Sequence, residues 1–321
     1  MENDSTVCIM LAVHNGSAHI GEQLQSIFAQ TYKDWILYIS DDHSTDNSFE
    51  ICREFAENSE GKIHMMHLSS EQNGAKENFA YLFSQVCNCK YYTFCDQDDI
   101  WITQKIEILV RKIKFLEGET GYNFPLLVYS DLEVVDADLK TLHPSFIKTS
   151  KLKLPDKNLM QQFLLYNCIP GCSMLFNYEL KQKTGRIPEI AYMHDWWVAL
   201  VAASIGKISL CEETLVKYRQ HSSNAVGTIQ HKSICKLIKD NASNSQIKTM
   251  RINNQNMKVL RKAQAEEFLT SYGYLLDDNQ ILVLRCFIHI LSNKSFFNPI
   301  TAFKNGFIFM TRLYTIKFFI V

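Results

Sequence analysis

Three aspartates stand close enough together in this sequence to do chemistry. Asp96, Asp98 and Asp99 fall within four residues, between an aromatic run and Trp101. Neighbouring carboxylates repel one another, and apolar surroundings make their ionisation costlier still. A divalent cation removes this conflict, because Mg²⁺ and Mn²⁺ prefer oxygen ligands and bind one or two carboxylates together with substrate phosphates. The cluster therefore predicts a Mn²⁺ or Mg²⁺ site; for Asp99, capping of the helix that follows is an alternative explanation.

A second acidic group follows a predicted strand over residues 35–40. Helix capping explains the polar residues at 44–46, but it does not explain Asp41 and Asp42, which stand directly after the strand. A carboxylate there could accept hydrogen bonds from a base or a ribose. The sequence has neither G-x-G-x-x-G nor a Walker motif. A bound nucleotide would therefore need the metal, rather than a helix N-terminus, to neutralise its phosphates.

A further carboxylate, Asp195, stands between His194 and the pair Trp196 and Trp197. It begins a predicted helix, so capping alone could explain it. The tryptophans, however, would form a flat apolar platform of the kind on which sugars stack. A partly desolvated carboxylate also gains the basicity that a general base needs near neutral pH. Asp195 is therefore a candidate general base, with a helix cap as the alternative.

The elements that must position these residues alternate between strand and helix. Four strands separated by amphipathic helices are predicted over residues 7–13, 35–40, 62–68 and 91–95. This alternation predicts right-handed βαβ units and a mostly parallel sheet. Ligands bind beyond the carboxyl ends of the strands in such sheets. Both acidic groups follow strand ends, so we expect them at the ligand-binding edge.

The rest of the chain predicts further elements and then a change of character. The sequence predicts a helix over residues 106–116, a strand over 126–130, a hairpin over 133–142 and a helix over 159–166. These are followed by a loop and strand over residues 170–176, a helix over 194–205 and a final strand or loop over 215–221. Beyond residue 227 strands disappear and the helices become increasingly apolar. We expect an α/β domain over residues 1–227 and a helical region over residues 228–321.

Composition and charge limit the function classes. The 321 residues are 46% hydrophobic and 21% charged, as expected of a folded protein, and the net charge of −1 gives no basic field that would attract nucleic acid. The polar, acidic start of the chain does not resemble a secretion signal, and residues 7–13 are too short to span a membrane. We therefore expect a cytoplasmic protein. Its 10 cysteines lack zinc-site spacing and are expected to stay reduced.

Five short motifs occur in order along the chain: Val13-His14-Asn15-Gly16, Ser40-Asp41-Asp42-His43-Ser44-Thr45-Asp46, Asn73-Gly74 with Asn78-Phe79, Asp96-Gln97-Asp98-Asp99-Ile100-Trp101, and His194-Asp195-Trp196-Trp197. Together they resemble family 2 glycosyltransferases of the glycosyltransferase-A fold, in the branch of rhamnosyltransferase-like enzymes. The resemblance covers residues 5–227. It implies a Rossmann-like α/β fold with a mostly parallel central sheet flanked by helices and a C-terminal helical extension. Residues 1–100 would be the nucleotide-sugar half and residues 101–227 the acceptor half.

The resemblance implies that the first half binds a nucleotide-sugar donor. Asp42 would hold the pyrimidine base of a dTDP- or UDP-sugar, and the other donor-binding residues would be Asn15, Asn73, Gly74 and Asn78. Asp96 and Asp98 correspond to the D-x-D motif, in which Asp98 would coordinate the metal and Asp96 would face the ribose or the sugar. His14 and His43 depart from the family pattern, in which Tyr and a small residue are common.

His221 falls where related enzymes close over the diphosphate, sometimes with a histidine on the metal. The resemblance therefore implies a metal or phosphate contact for His221, and a purely structural histidine is the alternative. The metal would act as a Lewis acid on the leaving nucleoside diphosphate.

The same resemblance implies inverting transfer to an acceptor. Asp195 corresponds to the catalytic base, which would take a proton from an acceptor hydroxyl that attacks the anomeric carbon opposite the leaving group. The predicted acceptor-binding residues are Gly171, Cys172, Trp196 and Trp197; an ordinary turn is the alternative for the first two. The implied acceptor is polyprenol-linked or an oligosaccharide, in the assembly of a cell-surface polysaccharide such as a capsule.

The last segment, residues 295–321, is rich in Phe, Ile and Leu but contains Lys304, Arg312 and Lys317. These charges favour a helix in the membrane interface over one that crosses the membrane. Packing against the catalytic domain or a second subunit is the alternative. We therefore expect a peripheral protein on the inner face of the plasma membrane.

Two other functions stay open. A nucleotidyltransferase also combines βαβ units with paired aspartates, although residues 14–18 contain no Lys or Arg for the basic glycine-rich loop that such enzymes usually have. A non-catalytic sugar-nucleotide sensor or membrane scaffold would keep the donor pocket but would not need Asp195.

Overall fold

The computed structural model describes residues 5–67, 74–86, 88–150, 154, 157–221, 244–292 and 306–307. The chain divides into two compact units. The first contains Met1–Ser150, Ile169–Glu189 and Met193–Ala225, and the second contains Lys151–Cys168, Ile190–Tyr192 and Val226–Val321. Residues 151–168 thus group with the C-terminal part, whereas the sequence predicts a single boundary at residue 227. That division into domains stays a prediction.

Nine strands form one sheet in the part of the chain that the structure describes. They are β1 (Val7–Val13), β2 (Trp35–Asp41), β3 (Ile63–His67), β4 (Tyr91–Cys95), β5 (Ile100–Trp101), β6 (Leu126–Val135), β7 (Thr141–His143), β8 (Met174–Asn177) and β9 (Lys207–Arg219). Their order is β3-β2-β1-β4-β8-β6-β9-β5, with β7 beside β6. Strands β1 to β4 pair in parallel, as the βαβ pattern predicts. The other half combines antiparallel pairs with the parallel pair β6–β9.

β1 and β4 lie side by side and are buried. Only Ala12 of β1 is partly exposed, and every residue of β4 is buried. Continuous apolar strands of this kind are typical of sheets covered on both faces. Val13 is opposite Asp41 of β2, and Leu11 is opposite Cys95 of β4. The residues after Asp41 and Cys95 therefore emerge on either side of the end of β1.

The helices of the described residues are α1 (Ile20–Phe28), α2 (Ser48–Glu57), α3 (Ala75–Gln85), α4 (Lys105–Thr120), α5 (Phe146–Ser150), α6 (Leu159–Leu165), α7 (Tyr178–Thr184), α8 (His194–Ile205), α9 (Asn244–Tyr272) and α10 (Asp278–Ser292). α1 buries Ile20, Leu24 and Ile27, which the helical spacing places on one face. α8 begins and ends at the predicted residues, and most of its side chains are buried.

β6 continues to Val135, beyond the predicted strand end at residue 130. Ser130 and Asp131 interrupt the apolar pattern of the sequence, yet both are buried. The Asp131 carboxylate accepts hydrogen bonds from the Ser145 hydroxyl and the Ile147 amide, at the start of α5. Buried polar groups need such partners, and a partner that is distant in sequence cannot be recognised from the local pattern.

In the second unit, α10 packs against α9 and also contacts α6. Phe268 and Phe287 are fully buried, and the ring of Phe287 stacks on Phe307 with centroids 5.1 Å apart. No helix within the described ranges is long and apolar enough to cross a membrane. The segment predicted to contact a membrane, residues 295–321, lies outside the described residues apart from Gly306 and Phe307.

Candidate functional site

The Asp42 carboxylate is fixed at the ends of β1 and β2. Its backbone N–H donates to the Val13 carbonyl at 2.8 Å, and its side chain is buried. Oδ2 of Asp42 accepts a 2.7 Å hydrogen bond from the Gly74 amide. Gly74 has a φ of 119°, a conformation that favours glycine. Asn73, the predicted donor-binding residue before it, lies outside the described residues.

His14 and Asn15 lie exposed beside Asp42 and form a chain of hydrogen bonds. The Thr45 amide donates to Oδ1 of Asn15 at 2.8 Å, and Nδ2 of Asn15 donates to Nε2 of His14 at 3.1 Å. His14 in turn donates from Nδ1 to the Asp42 carbonyl at 2.6 Å. These partners require the neutral tautomer with its proton on Nδ1. His14 therefore joins Asn15 to the backbone of Asp42.

The structure corrects the prediction that Asn78 contacts the donor. Its side chain is buried under the edge, where Nδ2 donates to the Ser40 carbonyl at 2.9 Å and, more weakly, to the Val13 carbonyl at 3.4 Å. The amide is thus used to hold the ends of β1 and β2 together. Asn78 supports the pocket from below and does not present its side chain to a ligand.

Asp96, Asp98 and Asp195 belong to one acidic site. Asp96 follows β4, and Asp98 is 9% exposed. Burial, together with the negative charges of Asp98 and Asp195, raises the pKa of the Asp96 carboxyl to about 7. A cation among these carboxylates would favour their ionised forms, so the electrostatics of the site fit the divalent ion that the sequence predicts.

His221 reaches the same site from the other half of the sheet. It follows β9, and its Nε2 lies 2.7 Å from Oδ2 of Asp98. Carboxylate oxygens suit Mn²⁺ and Mg²⁺, and imidazole nitrogen is a common ligand of transition-metal ions. Asp98 and His221 are therefore the residues of this chain that would hold a divalent ion, with Asp96 beside them.

Asp99 does not cap a helix, because β5 intervenes before α4 begins at Lys105. It is fully buried, and burial together with the neighbouring Asp96 and Asp98 charges raises the pKa of its carboxyl well above the usual range. Oδ1 of Asp99 accepts a 3.2 Å hydrogen bond from the Arg219 amide. Asp99 thus connects the acidic loop to β9.

The structure corrects the prediction that Cys172 contacts the acceptor. Its side chain is fully buried, and its Sγ lies within 4.8 Å of carboxylate oxygens of both Asp96 and Asp99. Burial raises the pKa of the Cys172 thiol well above its ordinary value. A protonated thiol can donate a hydrogen bond to such carboxylates. Cys172 therefore supports the acidic loop from inside the core.

Asp195 begins α8 with both carboxylate oxygens hydrogen-bonded. Oδ2 accepts from the Gly171 amide at 3.0 Å, and Oδ1 accepts from the Trp196 amide at 2.6 Å. The side chain nevertheless stays partly exposed. A Cβ atom on Gly171 would lie 3.2 Å from Cβ of Asp195, so glycine permits this close approach. The contacts orient Asp195 and leave it accessible, which suits a general base as well as a helix start.

The tryptophan platform predicted for the acceptor is also corrected. Trp196 is 4% exposed and Trp197 is 1% exposed, so both indole rings belong to the core around α8. An apolar ring can stack on a sugar only where its face is accessible. The two tryptophans instead provide apolar packing behind Asp195.

Three further residues support the site without having been singled out in the sequence. Gln97 bonds to the backbone of His14. Arg219 donates from Nε to the Asp98 carbonyl at 2.8 Å, and its guanidinium also bonds to the Ala137 carbonyl and to Glu22. Lys105 is fully buried with Nζ 3.2 Å from the Trp101 ring centroid. No local pattern in the sequence points to these roles, because the partners of Gln97 and Arg219 are distant in sequence.

Comparison with known proteins identifies the family of this chain. The sequence model described as Glycosyl transferase family 2 matches residues 8–181, more than half of the chain. The chain belongs to this family. Among characterised relatives, this family 2 member is 28% identical over 234 residues to the dTDP-rhamnosyl transferase RfbG of Shigella flexneri. That match covers 68% of the chain and 73% of RfbG, and it confirms the resemblance to rhamnosyltransferase-like enzymes.

Solved structures confirm the predicted fold. S. aureus TarS 1-349 in complex with UDP-GlcNAc superposes with a TM-score of 0.57 at 12% identity, covering 94% of this chain and 76% of that one. GalNAc-T7 with UDP, GalNAc and Mn2+ gives a TM-score of 0.51 at 12% identity, covering 70% and 45% of the two chains. At such identities the likeness concerns the fold alone. This family 2 member has the glycosyltransferase-A fold.

Proposed function

We propose that this protein is a metal-dependent, inverting glycosyltransferase that moves a sugar, with rhamnose as the first candidate, from a dTDP- or UDP-sugar to an acceptor hydroxyl. One observation carries the proposal: the negative charges of Asp98 and Asp195 both act on Asp96, and Nε2 of His221 lies 2.7 Å from Oδ2 of Asp98. The relative RfbG is named a dTDP-rhamnosyl transferase, and TarS was solved with UDP-GlcNAc.

The donor would bind across the ends of β1, β2 and β4. Asp42 and Asn15 would contact the base, since both are held at the edge by defined hydrogen bonds. Gly74, whose amide holds the Asp42 carboxylate, and Asn73 would complete this side. Asp96 would face the ribose or the sugar. The diphosphate would then lie toward Asp98, on the opposite side of the β1 end.

Asp98 and His221 would hold Mn²⁺ or Mg²⁺, which supplies Lewis-acid neutralisation of the diphosphate when bound. GalNAc-T7, of the same fold, was solved with UDP and Mn2+. The Asp98 carboxylate belongs to the loop after β4, which hydrogen bonds from Arg219 to Asp98 and Asp99 hold against β9, and the His221 imidazole follows β9. These residues fix the ligand atoms before a donor arrives.

Asp195 would accept the proton of the acceptor hydroxyl. Its carboxylate is oriented by the Gly171 and Trp196 amides. As that proton is transferred, the acceptor oxygen forms a bond to the anomeric carbon and the bond to the diphosphate oxygen breaks on the opposite face, so the configuration inverts. The acceptor would be polyprenol-linked or an oligosaccharide, in assembly of a cell-surface polysaccharide.

The cellular setting is proposed from the sequence of the C-terminal region. Residues 228–321 would contact the inner face of the plasma membrane from the cytoplasm, which would bring Asp195 to a polyprenol-linked acceptor. Residues 1–227 would form the catalytic domain, with residues 1–100 on the donor side.

The test is turnover of dTDP- and UDP-sugars, with and without Mn²⁺, on a synthetic polyprenyl diphosphate-linked sugar. We expect one donor to be consumed only with metal, and Asp195→Asn to lose at least about 100-fold in kcat while retaining donor binding. The control is Asp138→Asn, the same chemical change at an exposed turn. Full turnover by the Asp195 variant would contradict the base assignment, and donor binding without turnover by any acceptor would favour a sensor.

A further inference from the structure

We propose that Gln97, the middle residue of the Asp96-Gln97-Asp98 motif, is a positioning residue that sets the separation between the base side and the metal side of the donor site. Its side-chain amide bonds to both backbone groups of His14. The His14 N–H donates to Oε1 of Gln97 at 2.8 Å, and Nε2 of Gln97 donates to the His14 carbonyl at 2.9 Å. The inference rests on the proposed function.

These two bonds continue the sheet beyond its last backbone pair. Pairing between β1 and β4 ends at Leu11 and Cys95. Past that point, the amide of Gln97 offers one acceptor and one donor to His14, as a neighbouring strand would. The two strand ends diverge toward different parts of the site, and Gln97 joins them.

Gly16 provides the space that Gln97 needs. A Cβ atom built on Gly16 would lie 2.4 Å from Oε1 and 2.5 Å from Cδ of Gln97, closer than real Cβ contacts. Gly16 is not among the glycines with positive φ, so its backbone conformation does not itself demand glycine. The absence of a side chain at position 16 is therefore explained by the place of the Gln97 amide.

The connection matters because its ends serve different parts of the donor. His14 bonds to Asp42 and Asn15 on the base side, whereas Asp96 and Asp98 adjoin Gln97 on the metal side. A nucleoside diphosphate with Mn²⁺ must contact both sides at once, so it depends on their separation. A nucleoside lacks the diphosphate that would reach Asp98 and the metal, so its binding does not require that separation. Gln97 should therefore affect the first ligand and spare the second.

The experiment is to measure, by calorimetry, the binding of the nucleosides uridine and thymidine and of the diphosphates UDP and dTDP. The diphosphates are measured in the presence of Mn²⁺. We expect Gln97→Ala to weaken diphosphate binding about tenfold, as the loss of two hydrogen bonds allows, and to leave nucleoside binding unchanged. Gly16→Ala should do the same by displacing the amide. The double variant should bind no more weakly than Gln97→Ala alone. The control is Gly21→Ala in α1, where a Cβ would meet nothing within 4 Å.

The contrary outcomes are distinct. If Gln97→Ala loses equal affinity for the nucleoside and the diphosphate, Gln97 supports only the base side, and the proposal is overturned. If the affinity losses of the two single variants add in the double variant, Gly16 does not act through Gln97, which also overturns the proposal. If the wild-type protein binds a diphosphate and Gln97→Ala binds it equally well, the role of Gln97 is refuted and the proposed function stands. A wild-type protein that binds neither diphosphate with Mn²⁺ refutes both.

Discussion

Nε2 of His221 lies 2.7 Å from Oδ2 of Asp98, although the two residues are 123 positions apart in the sequence. Asp98 follows β4 in the parallel half of the sheet, and His221 follows β9 in the other half. β9 reaches the acidic loop by pairing with β5, which begins directly after Asp99. The two proposed metal ligands therefore come from different halves of the sheet.

Replacing His221 should weaken metal-dependent donor binding. We expect His221→Asn to lose about tenfold or more in affinity for UDP or dTDP with Mn²⁺, because loss of a ligand should exceed the effect of losing an outer-shell partner. Binding without metal should not change. Calorimetry measures both, and His143→Asn on the exposed strand β7 is the matched control. A metal-independent loss would instead favour a purely structural histidine.

Replacing Arg219 should destabilise the connection between the acidic loop and β9. A lysine cannot reproduce the separate bonds to the Asp98 carbonyl, the Ala137 carbonyl and Glu22. We expect Arg219→Lys to lower the free energy of unfolding by about 2–4 kcal/mol. Urea denaturation measures it, with Arg53→Lys on the exposed face of α2 as a control that should match the wild type. Equal stability of both variants would show that these bonds contribute little.

Adding a methyl group at Gly171 should affect catalysis more than binding. The new Cβ would lie 3.0 Å from Nε2 of His194 and 3.2 Å from Cβ of Asp195, so the start of α8 must shift. We expect Gly171→Ala to lower kcat about tenfold or more while the KM for the donor stays unchanged, since small misplacements of a general base are costly. Steady-state kinetics measures both constants. Gly118→Ala, where a Cβ meets nothing within 4 Å, is the control.

His194 should make the protein less stable as the pH falls. Burial lowers the pKa of its imidazole to about 3, against an ordinary value of 6.5. Below pH 6.5 the unfolded chain binds a proton that the folded protein does not, so this residue should cost about 1.4 kcal/mol of stability per pH unit down to pH 3.

The measurement for His194 is urea denaturation of the wild type and of His194→Gln at pH 7, 6 and 5. Subtracting the two curves removes the contribution of other groups, including Asp96, whose raised pKa acts in the opposite direction. The difference should shrink as the pH falls, because glutamine does not titrate. A constant difference would mean that His194 is protonated in the folded protein or contributes only by packing against Phe79 and Phe94.

Local patterns were sufficient for the elements that carry the site. The continuous apolar runs of β1 and β4 and the apolar length of α8 have the bounds that the sequence predicts. The position of Asp96 and Asp98 at the sheet edge follows from the strand before them. The connection to His221 was implied only by the resemblance, because nothing in the sequence shows that β9 pairs with β5.

The sequence alone does not show which of the predicted site residues have buried side chains. Trp196 and Trp197 are apolar whether their faces are exposed or covered, and only the packing around α8 decides between the two. Asn78 and Cys172 likewise have side chains suited to ligand contact, but their partners are buried groups brought near by the fold. Asp99 resembles a helix cap until β5 is known to separate it from α4. In each case the deciding contact is distant in sequence.

The fit between Gly16 and Gln97 also constrains how related sequences can diverge. With Gln97 in place, a side chain at position 16 displaces the amide, so a change at position 16 loses the bonds to His14 just as a shorter residue at position 97 does. Once one of the two residues has changed, the other no longer serves those bonds. Glycine at position 16 and glutamine at position 97 should therefore be kept or lost together in homologues, and the two positions should vary together over evolutionary time.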